Sequence, residues 1–137
     1  MPELSARLRE IVDALPLTPG MRVLEIGCGP GAMAREMAAR VGPTGAVLGI
    51  DRSAKAIGQA QAGGGPPHLG YRESKAEDFA LEPGEAPYDI AVAIRVGALD
   101  GRHPEAEAAA RDAIRRALKA GGKLYIDGGK PLRELAL

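Results

Sequence analysis

The chain has 137 residues, 18 basic and 18 acidic side chains, one cysteine and only 3% aromatics. That length accommodates one domain with a real core but not two ordinary ones. The neutral balance disfavours a nucleic-acid partner held by a general electrostatic field, and a lone Cys28 excludes both an internal disulfide framework and a cysteine zinc site. No basic-then-apolar leader opens the chain and no apolar run approaches the ~20 residues that span a bilayer, so no membrane contact and a cytoplasmic location are expected.

Leu4, Leu8, Ile11, Val12 and Leu15 fall at helical spacing, which predicts an amphipathic helix over about 3–15 within an N-terminal segment 1–19. Pro16 and Pro19-Gly20 end it. Arg22 to Ile26 is a short buried strand leading straight into glycines, and Ala34, Met37, Ala38 and Val41 then make one face of a helix closed by Gly42-Pro43. AVLGI at 46–50 is a second strand ending on Asp51, and Ser53 is placed to cap a third helix running to about Ala62. GGGPP at 63–67 reads as a flexible connection.

Leu69 to Glu73 is a weak third strand, and 77–87 reads as loop with at most a turn of helix. YDIAVAI at 88–94 is apolar nearly throughout, as expected of a strand covered on both faces. Ala106, Ala110, Ala113, Ile114, Ala117 and Leu118 line one face of a long helix starting after Pro104 and stopped by Gly121-Gly122. KLYID at 123–127 makes a fifth strand and closes the core, 20–128. The remaining segment, 129–137, offers a short terminal helix opened by Pro131.

Strands alternating with helices predict a three-layer, Rossmann-like doubly wound α/β sheet of about five parallel strands. The ligand site of such a sheet lies at the carboxyl ends of its strands, near the switch in strand order. One rim then carries Glu25–Gly31, Asp51, Ser74–Asp78, Arg95–His103 and Asp127–Gly129. Behind a buried strand, Gly27, Gly29 and Gly31 let a ligand sit against bare backbone, and Asp51 at the next strand end can accept both hydroxyls of a ribose. Together they point to a nucleoside-containing ligand; the plain alternative is a tight turn, with Asp51 only capping the helix after it. A dinucleotide oxidoreductase favours G-x-G-x-x-G, and the third spacing fails here, which leaves a nicotinamide enzyme as a weak competitor.

VLEIGCGPG at 23–31 resembles motif I of the class I S-adenosylmethionine-dependent methyltransferases. GAVLGID at 45–51, AEDF at 76–79, YDIAVAI at 88–94 and LKAGGKLYID at 118–127 resemble the blocks that follow, in the family's order. The resemblance implies that Glu25, Gly27, Cys28, Gly29 and Gly31 face the methionine part of S-adenosylmethionine, that Asp51 holds the ribose and that Arg52 flanks the adenine. Ala76 would meet the adenine through its backbone, and Arg95 would sit where cofactor floor and substrate meet. Lys75 stands where the family commonly has an acceptor for the adenine amino group; lysine cannot accept, so Glu77, Asp78 or backbone is left to do so.

Cys28 reads first as a small residue fitting a tight loop, and His103 reads equally as a general base at the cleft mouth or as a solvated helix entrance. No metal-ligand constellation is evident, and the sequence after the fourth strand, IRVGALD, lacks the Asn/Asp-Pro-Pro-aromatic signature of base and protein amino-methylases. The expected activity is therefore methylation of a small molecule, with a non-catalytic or partner-dependent binder of the same cofactor as the alternative. The family sheet usually has seven strands, so a chain read as lacking the sixth and seventh would expose an edge. A homodimer is expected, formed through that edge or with the terminal segment lying across it.

Overall fold

The computed structural model describes residues 4–137; residue 3, the start expected for the first helix, lies outside the described residues. Six strands and five helices follow in order: α1 (Ala6–Ala14), β1 (Arg22–Ile26), α2 (Ala32–Val41), β2 (Ala46–Asp51), α3 (Ala54–Ala62), β3 (Leu69–Glu73), β4 (Tyr88–Ala93), α4 (Gly97–Asp100), α5 (Glu107–Ala117), β5 (Leu118–Asp127) and β6 (Leu132–Leu135). Single 3₁₀ turns at Ala76–Asp78 and Pro104–Ala106 complete the chain. Ser5 Oγ accepts the Leu8 N–H at 3.2 Å and Ser53 Oγ the Ala56 N–H at 3.1 Å, so α1 and α3 both begin on a serine cap.

The sheet runs β3-β2-β1-β4-β5-β6, all parallel except the last strand. The chain steps outward from β1 to β3, then returns past β1 to β4, so the order reverses between β1 and β4. A crevice therefore opens at the carboxyl ends of those two strands. Alternation along the strands feeds two cores. Val23, Val47, Ile90 and Val92 meet α1 and α2 on one face, while Leu24, Ile50, Ala91, Leu124 and Ile126 meet α5 on the other. With one Phe and no Trp in the chain, close approach of alanine-rich α5 (Ala110, Ala113, Ala117) supplies the packing density that aromatics otherwise give.

Two expectations are corrected at the far end. LREL at 132–135, expected as helix, is instead antiparallel strand β6, with Tyr125 opposite Glu134 and Ile126 opposite Arg133. The sheet thus has six strands, and the β5 edge expected to stand open is covered by the terminal segment of the same chain. Pairing wins because β5 offers an unmatched row of N–H and C=O groups, and Leu135 becomes buried beside Leu124 as it pairs. The long helix also ends earlier, at Ala117, because Leu118 turns extended and pairs with Tyr88. The register then shifts before Ile90 meets Lys123, and Gly121 accommodates the irregularity at φ 79°.

Candidate functional site

The glycine loop is fixed by the neighbouring strand. The N–H groups of Gly27 and Cys28 both donate to the Ile50 carbonyl, at 2.8 and 2.9 Å, which turns the chain sharply off the end of β1. Gly27, Gly29 and Gly31 all hold positive φ (75°, 54° and 93°), which side-chain-bearing residues rarely adopt. At Gly31 space imposes the same choice, since a Cβ would lie 2.3 Å from Tyr71 Oη. Cys28 is buried over Gly49, and burial, then the charges of Glu25 and Asp51, push its thiol well above the usual range. Burial and a raised thiol fit the packing role expected of it in the tight loop.

Asp51 ties the loop to α3: Oδ2 accepts the Gly29 N–H and Oδ1 the Ser53 N–H, both at 2.9 Å. Asp51 therefore braces the turn before α3, whose cap is Ser53, and does not cap the helix itself; an ionised carboxylate has about four acceptor positions, and two remain. Glu25 is different. It is the one charged side chain buried among the described residues, 4% exposed, and its Oε1 has no hydrogen-bond partner. Burial first, and the charge of Asp51 second, raise its carboxyl pKa to about 8.

Across the crevice, Arg95 leaves β4 with a left-handed backbone (φ 59°), a conformation costing on the order of 1–3 kcal/mol in a non-glycine residue. Its N–H donates to Asp127 Oδ1 at 3.2 Å and its carbonyl accepts from Arg102 Nη2 at 2.7 Å, which holds the strained position from both sides. The His103 ring lies over Gly97, where a Cβ would approach to 2.3 Å, and Nδ1 stands 3.5 Å from Glu105 Oε1. Its side chain is 59% exposed, so it sits at the mouth.

A cleft of about 980 Å³ joins the two sides. It brings together Glu25, Gly27, Cys28, Gly29, Asp51 and Arg52 from the β1 and β2 ends. Lys75, Ala76, Glu77, Arg95 and His103 enter from the β3 and β4 ends. Several expected rim positions do not line it, among them Leu99, Asp100, Gly101, Gly128 and Gly129. Gly31 lies buried behind the wall, Asp78 borders a separate groove of about 310 Å³, and Asp127 stands outside the cleft, holding Arg95 and, at 3.6 Å, Arg7. Sequence reasoning missed Ser5, the cap of α1, and Arg7 and Leu8 within it, which form a wall of the cleft. Arg7 sits on the polar side of an amphipathic helix, and nothing local distinguishes it from a solvated charge. No group of three metal-ligating side chains occurs among the described residues.

A family profile described as a methyltransferase domain matches residues 23–122. An arsenite methyltransferase of Aquipseudomonas alcaligenes is 34% identical over 98% of this chain and 40% of its own length. A nocamycin O-methyltransferase of Saccharothrix syringae is 35% identical over 94% of this chain and 46% of its own. This chain therefore spans less than half the length of these relatives. Among solved structures, an S-adenosylmethionine-dependent methyltransferase from Mesorhizobium loti superposes with TM-score 0.69 at 26% identity, over 89% of this chain and 52% of that one. Phosphoethanolamine N-methyltransferase 2 of Haemonchus contortus, in complex with S-adenosyl-L-methionine, gives 0.70 at 26% identity, over 88% and 27%. The chain belongs to the class I S-adenosylmethionine-dependent methyltransferase family.

Proposed function

We propose that this domain binds S-adenosylmethionine in the cleft and transfers its methyl group to a small-molecule acceptor. The observation that carries the reading is Glu25: a buried carboxyl with an unpartnered oxygen, at the back of a glycine cradle, in a chain of this family. Burying such a group without a partner is costly, and a ligand carrying a cationic ammonium would relieve it. Gly27 and Gly29 would let the ligand's methionine part lie on the backbone, and the two free acceptor positions of Asp51 suit a pair of ribose hydroxyls. Glu77, which lines the cleft, is better placed than Asp78 to meet the adenine amino group that Lys75 cannot.

When bound, the sulfonium supplies an already activated methyl, so the protein's task is to align an attacking atom with it. Ile94, Val96 and Ala98 give that region an apolar lining, and His103 at the mouth is the candidate base for an acceptor proton. A small acceptor is supported by the size of the cleft, which falls at the upper end of the usual 300–1,000 Å³ for small-molecule sites. The neutral overall charge supports it too. Titration calorimetry with S-adenosylhomocysteine and with NADH tests the cofactor, heat being expected only from the first. Silence with S-adenosylhomocysteine, or heat with NADH, sinks the reading. Radiolabelled methyl transfer across an acceptor library then separates an enzyme from a binder that needs a partner: incorporation is expected, and binding without incorporation selects the binder.

A further inference from the structure

The charged groups lining the cleft are segregated. At the β1–β3 end stand Glu25, Asp51 and Glu77 with Arg52 and Lys75, three acids against two bases. At the α1–β4 end stand Arg7, Arg95 and Arg102, with His103, against the single carboxylate of Glu105. The other two acids near that end, Asp100 and Asp127, do not line the cleft. They stand outside it and hold its arginines: Asp100 binds Arg102 Nε at 2.9 Å, and Asp127 pairs with Arg7 at 3.6 Å and takes the Arg95 N–H at 3.2 Å. Asp100 and Asp127 thus fix the Arg102 and Arg7 guanidiniums, and Asp127 fixes the Arg95 backbone, from outside the cleft.

Arg95 is the centre of this arrangement. Among the described residues its guanidinium makes no ion pair or hydrogen bond, whereas Arg7 and Arg102 each have an acid. Its backbone is held in the left-handed region by two hydrogen bonds from other parts of the rim. A residue kept at a strained position, with a free planar fork of donors on a ligand cleft, fits a bidentate contact to an oxyanion.

We infer that the methyl acceptor carries an anionic group, a carboxylate or a phosphate, which Arg95 receives at the α1–β4 end of the cleft with Arg7 and Arg102 beside it. This rests on the methyltransferase reading, because that reading puts the cationic cofactor at the acidic end and leaves the basic end to the acceptor. Arg95 is then the specificity-determining residue, and neutral or cationic analogues of the acceptor are poorly held.

The test uses ligand-observed NMR titrations of the S-adenosylhomocysteine-loaded protein with four probes: benzoate, phenyl phosphate, benzamide and benzylamine. Benzoate or phenyl phosphate is expected to bind at least about tenfold more tightly than the neutral and cationic probes, and the stronger of the two identifies the acceptor's oxyanion. Arg95→Asn, chosen because asparagine tolerates a left-handed backbone, is expected to abolish that preference, and Arg95→Lys to restore part of it. Equal binding of all four probes overturns the proposal, as does an anion preference that survives Arg95→Asn. Calorimetry with S-adenosylhomocysteine on the same samples keeps the two readings apart: wild-type protein that binds it without anion preference loses the acceptor inference alone. Wild-type protein that does not bind it loses the cofactor reading and this one together.

Discussion

The two ends of the cleft are built in opposite ways. The β1–β2 end is made of backbone: three glycines at positive φ, two N–H groups on one carbonyl, and an aspartate that braces the loop and the turn into α3 at once. The β4–α1 end is made of long side chains brought from distant positions, with Arg7 reaching Asp127 and Arg102 reaching the Arg95 carbonyl. Backbone sites are rigid and serve a ligand common to a whole family. Side-chain sites are changed one residue at a time, which suits the acceptor proposed for that end.

The largest expected effect lies at the buried acid. Burial and the charge of Asp51 hold the Glu25 carboxyl pKa up at about 8 in the folded protein, whereas in the unfolded chain it ionises near 4.5. The folded state therefore keeps a proton that the unfolded state gives up, and stability falls as pH rises between those values. Urea unfolding of the wild type is expected to lose up to about 4 kcal/mol across that window, and Glu25→Gln to flatten the slope. A wild-type profile that is level from pH 5 to 8 contradicts the buried, unpaired state of Glu25.

Gly31→Ala comes next. The new Cβ would meet the Tyr71 ring in a backbone already at φ 93°, so a loss of about 2–4 kcal/mol is expected, together with weakened S-adenosylhomocysteine binding as the loop shifts. Unchanged denaturation midpoints would show that the loop has slack. Asp51→Ala is expected to weaken S-adenosylhomocysteine by ~1–3 kcal/mol in calorimetry. An affinity equal to wild type removes the aspartate from the ribose site and leaves it as a brace.

The smallest stability effect belongs to the other end. Arg7 is 52% exposed, and breaking its pair with Asp127 by Arg7→Ala should cost no more than about 1 kcal/mol. The variant sharpens the contrast between the two ends if it leaves S-adenosylhomocysteine affinity alone while lowering methyl transfer. A drop in cofactor affinity of tenfold would mean that α1 belongs to both ends.

Why one end was legible in the sequence and the other was not follows from the same contrast. VLEIGCGPG and Asp51 carry their geometry locally, because glycine is the residue for a left-handed turn and a strand-end acid lies next to its loop whatever surrounds it. Arg95 could be placed at a strand end, but its strain and its two bracing hydrogen bonds depend on Asp127 and Arg102, 32 and 7 residues away. Arg7 gave no signal at all, since a charge on the polar face of a helix looks the same whether water or a cleft lies beyond it.

The sequence by itself determined the alternation of strands and helices, the glycine loop, the strand-end aspartate and the family, all through patterns within a few residues of one another. Tertiary structure decided the rest. LREL is too short for periodicity to tell helix from strand, and only the open hydrogen-bonding row of β5 made it β6. Glu25 could be placed in the sequence as the acid of the glycine motif, but only burial in the folded chain gives it an unpaired oxygen and a raised pKa. Short-range sterics can be read from residue order, but desolvation and charge segregation exist only once the chain has closed around them.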